Sequence, residues 1–233
     1  MWIKMLWLYY QRLRYSRQVK NSEQGKLLAN CWQESSMILG KLKPSLLCEH
    51  VEFLVVDLET SSLNAHEGEV LSIGWVVIKH GKIQLGSAEH HLLKAKKTVG
   101  QSATIHNLRD CELEQGEPLI DVAERFLHVA SGRVLVFHHA LLDMNFLNKA
   151  SRELFNSPLL LPVVDTLEIE KVKLLRQQDH IKKGELRLAE CRSRYNLPAY
   201  PAHNALMDAL SSAELLLAQI DHRGKGCRLA DLG

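Results

Sequence analysis

Cysteine is sparse in this sequence, net charge is small and long apolar runs are missing, and each shortage narrows what the chain is. Its five cysteines, Cys31, Cys48, Cys111, Cys191 and Cys227, are odd in number, scattered and never spaced as CxxC. That is the pattern of a reduced, cytoplasmic protein and not of a disulfide framework. A formal charge of +2 over 233 residues excludes the global basic field of a polyanion-coating protein, so any nucleic-acid contact must be local. No internal repeat or low-complexity segment is present. With 46% hydrophobic residues, the length supports one well-buried catalytic core with an appendage.

The first twenty residues, MWIKMLWLYYQRLRYSRQVK, carry five Lys or Arg and no acid. Their apolar part is too short to span a bilayer, and Lys4 interrupts it where a signal peptide needs an uncharged core. The segment reads as an amphipathic helix against the domain or a partner, with membrane-surface or nucleic-acid contact as the alternative. A second helix is expected near Gly25 to Leu39, ending by Gly40 and Pro44. The expected organisation is a helical extension over residues 1–49, a catalytic domain over 50–222 and a short tail over 223–233.

The pattern changes near residue 50, where VEFLVVDLE is a β-branched run typical of a buried central strand. VLSIGWVVIK, the turn His80-Gly81, and Lys82 to Leu93 predict a hairpin. A helix over Pro118 to Ala130, a strand RVLVFH, a helix over Ala140 to Phe155 and a strand LLLPVVDT come next. Helices near Glu185 to Tyr195 and His203 to Ile220 close the chain, separated by the prolines of NLPAYP. Strands first in a meander and then alternating with helices predict an α/β fold with a mixed sheet.

The chemistry is carried by acids at strand ends. Asp57 and Glu59, two apart on a strand, share one face about 6.6 Å apart. Two such carboxylates are either ordinary surface acids or a pair whose repulsion a divalent cation relieves, and Mg²⁺ or Mn²⁺ suits hard oxygen ligands. Asp143 follows Phe137 by six residues, near the start of a helix; alone it reads as a helix-terminal acid, but it too sits where a strand ends. In HNALMDAL, His203 opens the last helix and Asp208 lies five residues on, where the histidine can reach a metal-bound water and the aspartate can hold the metal.

VVDLETSSL, VFHHALLDMNFL and PAHNALMDAL together resemble the three exonuclease motifs of the DnaQ-like (DEDDh) superfamily, and the likeness spans roughly residues 50–220. TIHNL, VVDT and CRSRYNLP add to it. The resemblance implies an RNase H-like mixed β-sheet flanked by helices. It also implies a 3′–5′ exonuclease acting on phosphodiester bonds. Asp57, Glu59, Asp143 and Asp208 would hold two divalent cations, Mg²⁺ or Mn²⁺, with His203 as general base and nucleoside 5′-monophosphate as product. Thr60, Ser62, Leu63 and His106 match positions that line the terminal-nucleotide pocket, with Leu63 as a wedge against the last base. The first motif departs from the usual ETTGL through Ser62. The second departs from HNxxFD through His139 and Leu142, and His139 is a candidate substrate contact or a packed or exposed side chain.

The expected substrate is a single-stranded or frayed 3′ end of DNA, in proofreading or repair, as for the epsilon subunit of bacterial DNA polymerase III. RNA trimming and a silent binding module stay open as alternatives. Lys171, Lys173, Arg176, Lys182, Lys183 and Arg187 are candidate phosphate contacts. The chain reads as a stand-alone nuclease or as one docked on a polymerase or other protein through Met1 to Gly40.

Overall fold

A computed structural model describes residues 2–19, 23–41, 46–94, 114–201 and 204–233. Among these residues the chain forms one five-stranded sheet of order β3-β2-β1-β4-β5. The strands are β1 (Phe53–Thr60), β2 (Val70–Lys79), β3 (Lys82–Leu92), β4 (Val134–Phe137) and β5 (Val163–Asp165). β1, β2 and β3 pair antiparallel, and β4 and β5 add in parallel. The mixed sheet predicted from the meander is the one found. His80 (φ 52°) and Gly81 (φ 67°) both occupy the left-handed region at the β2–β3 turn, which gives the strands the twist a two-residue hairpin needs.

Alternation along β1 sorts its side chains into two cores. Leu54, Val56 and Leu58 face one side with Ile73, Trp75 and Val77. Phe53 and Val55 face the other with Val76, Ile78, Val134 and Val136. The helices are α1 (Trp2–Val19), α2 (Glu23–Lys41), α3 (Leu119–Ala130), α4 (Ala140–Phe155), α5 (Thr166–Leu175), α6 (Leu188–Ser193) and α7 (Ala205–His222). Helices α2 to α4 supply Leu28, Trp32, Val122, Phe126 and Phe146 to the first core. Helices α5 and α7 supply Ile169, Ala213 and Leu216 to the second.

Both expected N-terminal helices are present, and they are tied into the first core. Arg12 is buried and donates through Nε and Nη2 to Leu160 O at 3.0 and 2.7 Å, and through Nη1 to Trp32 O at 3.0 Å. Burial pushes its pKa down to about 10, so it stays charged at neutral pH and the carbonyls stand in for its lost hydration. Trp32 Nε1 donates to Leu159 O at 2.6 Å. These bonds also explain why the apolar run LLLPVVDT pairs as a strand only over Val163–Asp165. Carbonyls at 159 and 160 are taken by α1 and α2, and Leu160 turns to φ 49°.

Among the described residues, no helix is long and apolar enough to cross a membrane. The C-terminal tail also packs, since Cys227, Leu229 and Leu232 are buried in the second core and Leu47 bridges Arg228.

Candidate metal-dependent active site

Asp57 and Glu59 follow Phe53 and Val55 on the same face of β1, beyond the point where the core ends. A register irregularity between Glu59 and Thr60 marks this end of the strand, where a bulge re-aims side chains. Helix α7 crosses β1 and β2 on this face. It starts at the N-cap Asn204, whose Oδ1 accepts from the Met207 amide at 3.1 Å, and Asp208 sits in its first turn. One carboxylate oxygen each from Asp57, Glu59 and Asp208 lies within 4.8 Å of the others. The structure thus brings Asp208 to two expected acids that lie about 150 residues before it in sequence.

The close approach of α7 depends on Gly74. It is the β2 partner of Asp57, and a Cβ built there would meet Leu206 N at 2.3 Å, Ala205 C at 2.4 Å and Leu206 Cα at 2.5 Å. Every one of these atoms is backbone, so no side-chain rotation makes room. Sequence reading gave Gly74 no role, although a glycine inside a strand is itself a sign of close backbone approach.

Asp143 is buried in the first turn of α4. Burial pushes its pKa up to about 8; backbone amides of Asp143 and Leu58 pull it back, and the charges of Asp165 and Glu59 push it up further. Glu59 is pushed up to about 7 by burial and by Asp208. Asp57 lies well above the ordinary carboxylate range because of burial and then the charges of Asp143, Asp208 and Glu59. Although Asp57 keeps some solvent-exposed surface, the fields of all the other acids converge on it.

A hard-oxygen set of this density fits a divalent cation, whose charge removes the repulsion among the carboxylates. Among the described residues this is the group of acids, histidines and cysteines with metal-holding geometry.

Asp165, inside the VVDT stretch, has a role that its sequence position did not reveal. Its Oδ1 accepts from the His139 amide at 3.0 Å and the Leu167 amide at 2.9 Å, and its Oδ2 from the Ala140 amide at 2.8 Å. One carboxylate therefore caps α4 and α5 together and fixes the turn from which Asp143 projects. His139 sits in that turn at φ 83° with an exposed side chain, a backbone region in which asparagine and histidine are both enriched. His138 is held instead, by Thr166 Oγ1 at 2.9 Å and Leu186 O at 2.9 Å.

The expected pocket residues form a self-bonded loop after β1. Thr60 Oγ1 donates to Ser62 O at 2.9 Å, Ser62 Oγ accepts from the Asn64 amide at 3.1 Å, and Ser61 Oγ accepts from the Glu69 amide at 2.8 Å. Ser62 is not among the positive-φ residues, so serine replaces the usual glycine without backbone strain. Leu63 at the tip is 82% exposed, the highest value among the exposed large hydrophobics. His106 and the expected general base His203 lie outside the described residues.

CRSRYNLP locks α6 between α5 and α7. Arg192 is buried and donates to Ser211 O, to Pro198 O at 2.8 Å and to Glu214 Oε2 at 2.7 Å. Glu170, with no exposed surface, accepts from Arg194 Nε and Tyr195 Oη at 2.9 Å each. The expected basic cluster is divided. Lys171 pairs with Glu168, and Lys173 lies over the Tyr195 ring and reaches its hydroxyl, while Lys182, Lys183 and Arg187 are exposed. Leu186, inside that exposed segment, is tied by His138 to the end of β4, so the loop flanks the carboxyl edge of the sheet.

Residues 54–216 match the family model RNase_T, described as Exonuclease. The chain belongs to this exonuclease family. It is 27% identical over 177 residues to DNA polymerase III subunit epsilon of Treponema pallidum, a match covering 76% of this chain and 80% of that protein. It is 25% identical over 169 residues to the 3′-5′ exonuclease DinG of Staphylococcus haemolyticus, covering 72% of this chain. The matched region spans only 18% of DinG and 12% of the PolC-type DNA polymerase III of Thermotoga petrophila.

Among solved structures, E. coli Exonuclease I in complex with a dT13 oligonucleotide aligns with a TM-score of 0.62 at 14% identity, over 72% of this chain and 40% of that one. Exonuclease X in complex with 5′ overhanging duplex DNA aligns with a TM-score of 0.56 at 21% identity, over 77% and 98%. These likenesses place the RNase H-like exonuclease fold, and with the family match they make the chain a nuclease.

Proposed function

We propose that this exonuclease shortens DNA from its 3′ end and releases nucleoside 5′-monophosphates, in proofreading or repair in the cytoplasm. The observation that carries the reading is the convergence of Asp57, Glu59 and Asp208 within 4.8 Å at the carboxyl edge of the sheet. The names of the relatives support DNA as substrate, since an epsilon subunit and a 3′-5′ exonuclease are among them. In this reading Asp57, Glu59, Asp143 and Asp208 hold two divalent cations, Mg²⁺ or Mn²⁺. Bound cations of this kind supply Lewis acidity and an acidified water for phosphodiester hydrolysis.

The chain's own residues do the rest. His203 takes the proton from the attacking water. Thr60, Ser62, Leu63 and His106 receive the terminal nucleotide, with Leu63 against the last base, and His139 stands at the rim. Asp165 and Gly74 act through others, the first by fixing the turn that carries Asp143 and the second by seating the turn that carries Asp208. A polymerase or other protein would dock through the exposed side of the N-terminal helices, where Trp7, Tyr9, Tyr10 and Leu13 face solvent.

The test is release of mononucleotides from 5′-labelled single-stranded DNA, duplex DNA and RNA with Mg²⁺ or Mn²⁺. Stepwise, metal-dependent shortening of DNA from the unlabelled end is expected. Preference for RNA would move the protein to RNA trimming, and no shortening of any substrate would leave a binding module. Reversing Lys182 and Lys183 to glutamate is expected to weaken DNA binding and to reduce the slope of log K against log salt by about one to two. An unchanged slope would remove this loop from the DNA path.

A further inference from the structure

A second pair of reactive side chains meets across the molecule, away from the acids. The segment leading into β1 and the tail after α7 run antiparallel. Leu47 bridges Arg228, the Cys48 amide donates to Cys227 O at 2.9 Å, and the Leu229 amide donates to Leu46 O at 2.9 Å. That register sets Cys48 opposite Cys227, and Cys48 Sγ lies 3.7 Å from Cys227 Sγ, to which it donates. Only one ladder bond joins the pair, since the Cys227 amide donates to Gly224 O, and it is the sulfur separation that puts the two side chains within reach of a disulfide. Cys31 and Cys191, by contrast, are buried among other groups: Cys31 in the first core and Cys191 beside Arg194.

We propose that Cys48 and Cys227 form a reversible disulfide that staples the segment before β1 to the tail after α7. Both line a pocket of about 330 Å³ whose rim includes the exposed residues Gly224, Lys225 and Gly226, so a small disulfide reaches them although both are buried. Burial holds both thiols above the ordinary cysteine range, and Cys227 is the attacking group because the hydrogen bond between them pulls it back down while raising Cys48. The Cys227 thiolate attacks one sulfur of a low-molecular-weight disulfide, forming a mixed disulfide and expelling one thiol. The Cys48 thiolate then attacks Cys227 Sγ and expels the second thiol. Two protein thiols are oxidised, one small disulfide is reduced to two thiols, and the two thiol protons end on the leaving groups.

The bond would join positions 179 apart in sequence, a span over which a cross-link strongly restricts the unfolded chain. It lies far from the acids, because Asp208 is in the first turn of the 18-residue α7 and Cys227 follows its last. Such a helix is about 27 Å long. The staple therefore sets stability and leaves the chemistry alone.

The purified full chain incubated with glutathione disulfide, then alkylated and peptide-mapped without reduction, tests this. The expected product is the Cys48 peptide joined to the Cys227 peptide, lighter by two hydrogens. Melting temperature rises by about 5–15 °C, dithiothreitol reverses both changes, and nuclease activity is unaltered. Cys227→Ser abolishes the cross-link and the shift. Glutathione left on either cysteine without a cross-link, unreacted thiols, or a cross-link that lowers the melting temperature would each overturn the proposal. Should the serine variant fail to fold, the wild-type map and melt decide alone.

Discussion

Asp57→Asn is expected to abolish nuclease activity, a loss on the order of 10³-fold or more, while raising the melting temperature of the protein in EDTA. The two effects have one cause. Asp57 is the group on which the charges of Asp143, Asp208 and Glu59 converge, in a setting where burial already disfavours its ionised form. Asparagine keeps the shape and removes the charge. The metal-free fold is thereby relieved of a repulsion, and each kcal/mol of relief is read as about 2–4 °C for a chain of this length. The wild type gains stability when Mn²⁺ is added, and the variant gains much less because its site has lost a ligand. Melting curves with and without Mn²⁺, beside an activity assay, check both halves. A lower melting temperature for the variant in EDTA would mean that Asp57 acts as a structural hydrogen-bond partner and not as a strained ligand.

Gly74→Ala is expected to be nearly as damaging, although it adds a methyl group and removes no functional atom. The new Cβ would lie 2.3 to 2.5 Å from backbone atoms of Ala205 and Leu206, where ordinary contacts begin near 3.5 Å. The first turn of α7 must therefore lift by about 1 Å, carrying Asp208 with it. A displacement of that size at reacting groups lowers rate by about 10²-fold, and the forced repacking costs about 1–3 kcal/mol. Gly86→Ala in β3 is the control, because its Cβ meets nothing within 4 Å. Kinetic measurement of both variants at saturating Mn²⁺ separates a displaced ligand from a general loss of fold. Full activity in Gly74→Ala would show that α7 is seated by other contacts.

The contrast between these two residues shows how far the sequence could be read. Asp57 and Glu59 were legible because a carboxylate pair interrupts a β-branched run, a local contradiction that stands out along the chain. His80-Gly81 was legible for a similar reason, since the turn demands its own residue types. Gly74 sits in VLSIGWVVIK, where the run reads as a strand whatever the glycine does, and its meaning comes from a helix that begins more than a hundred residues later. Helix α5 was not foreseen at all. In TLEIEKVKLL the charged residues fall among the apolar ones without a clean helical stripe. Glu170 turns inward only because Arg194, Tyr195 and Gln219 come to meet it. The shortened β5 has the same kind of cause, for the carbonyls before it are claimed by Arg12 and Trp32 from the other end of the chain.

The site is also built from parts that exist at different times. Asp57 and Glu59 leave the ribosome first, whereas Asp208 and the helix that delivers it come 151 residues after Asp57. At about 5–20 residues per second, that interval is on the order of 10–30 s. During it the growing chain carries acids on β1 but lacks the helix that closes over them. The three carboxylates thus come together only once α7 has docked on Gly74, so the cluster forms later than the strand that carries its first two acids.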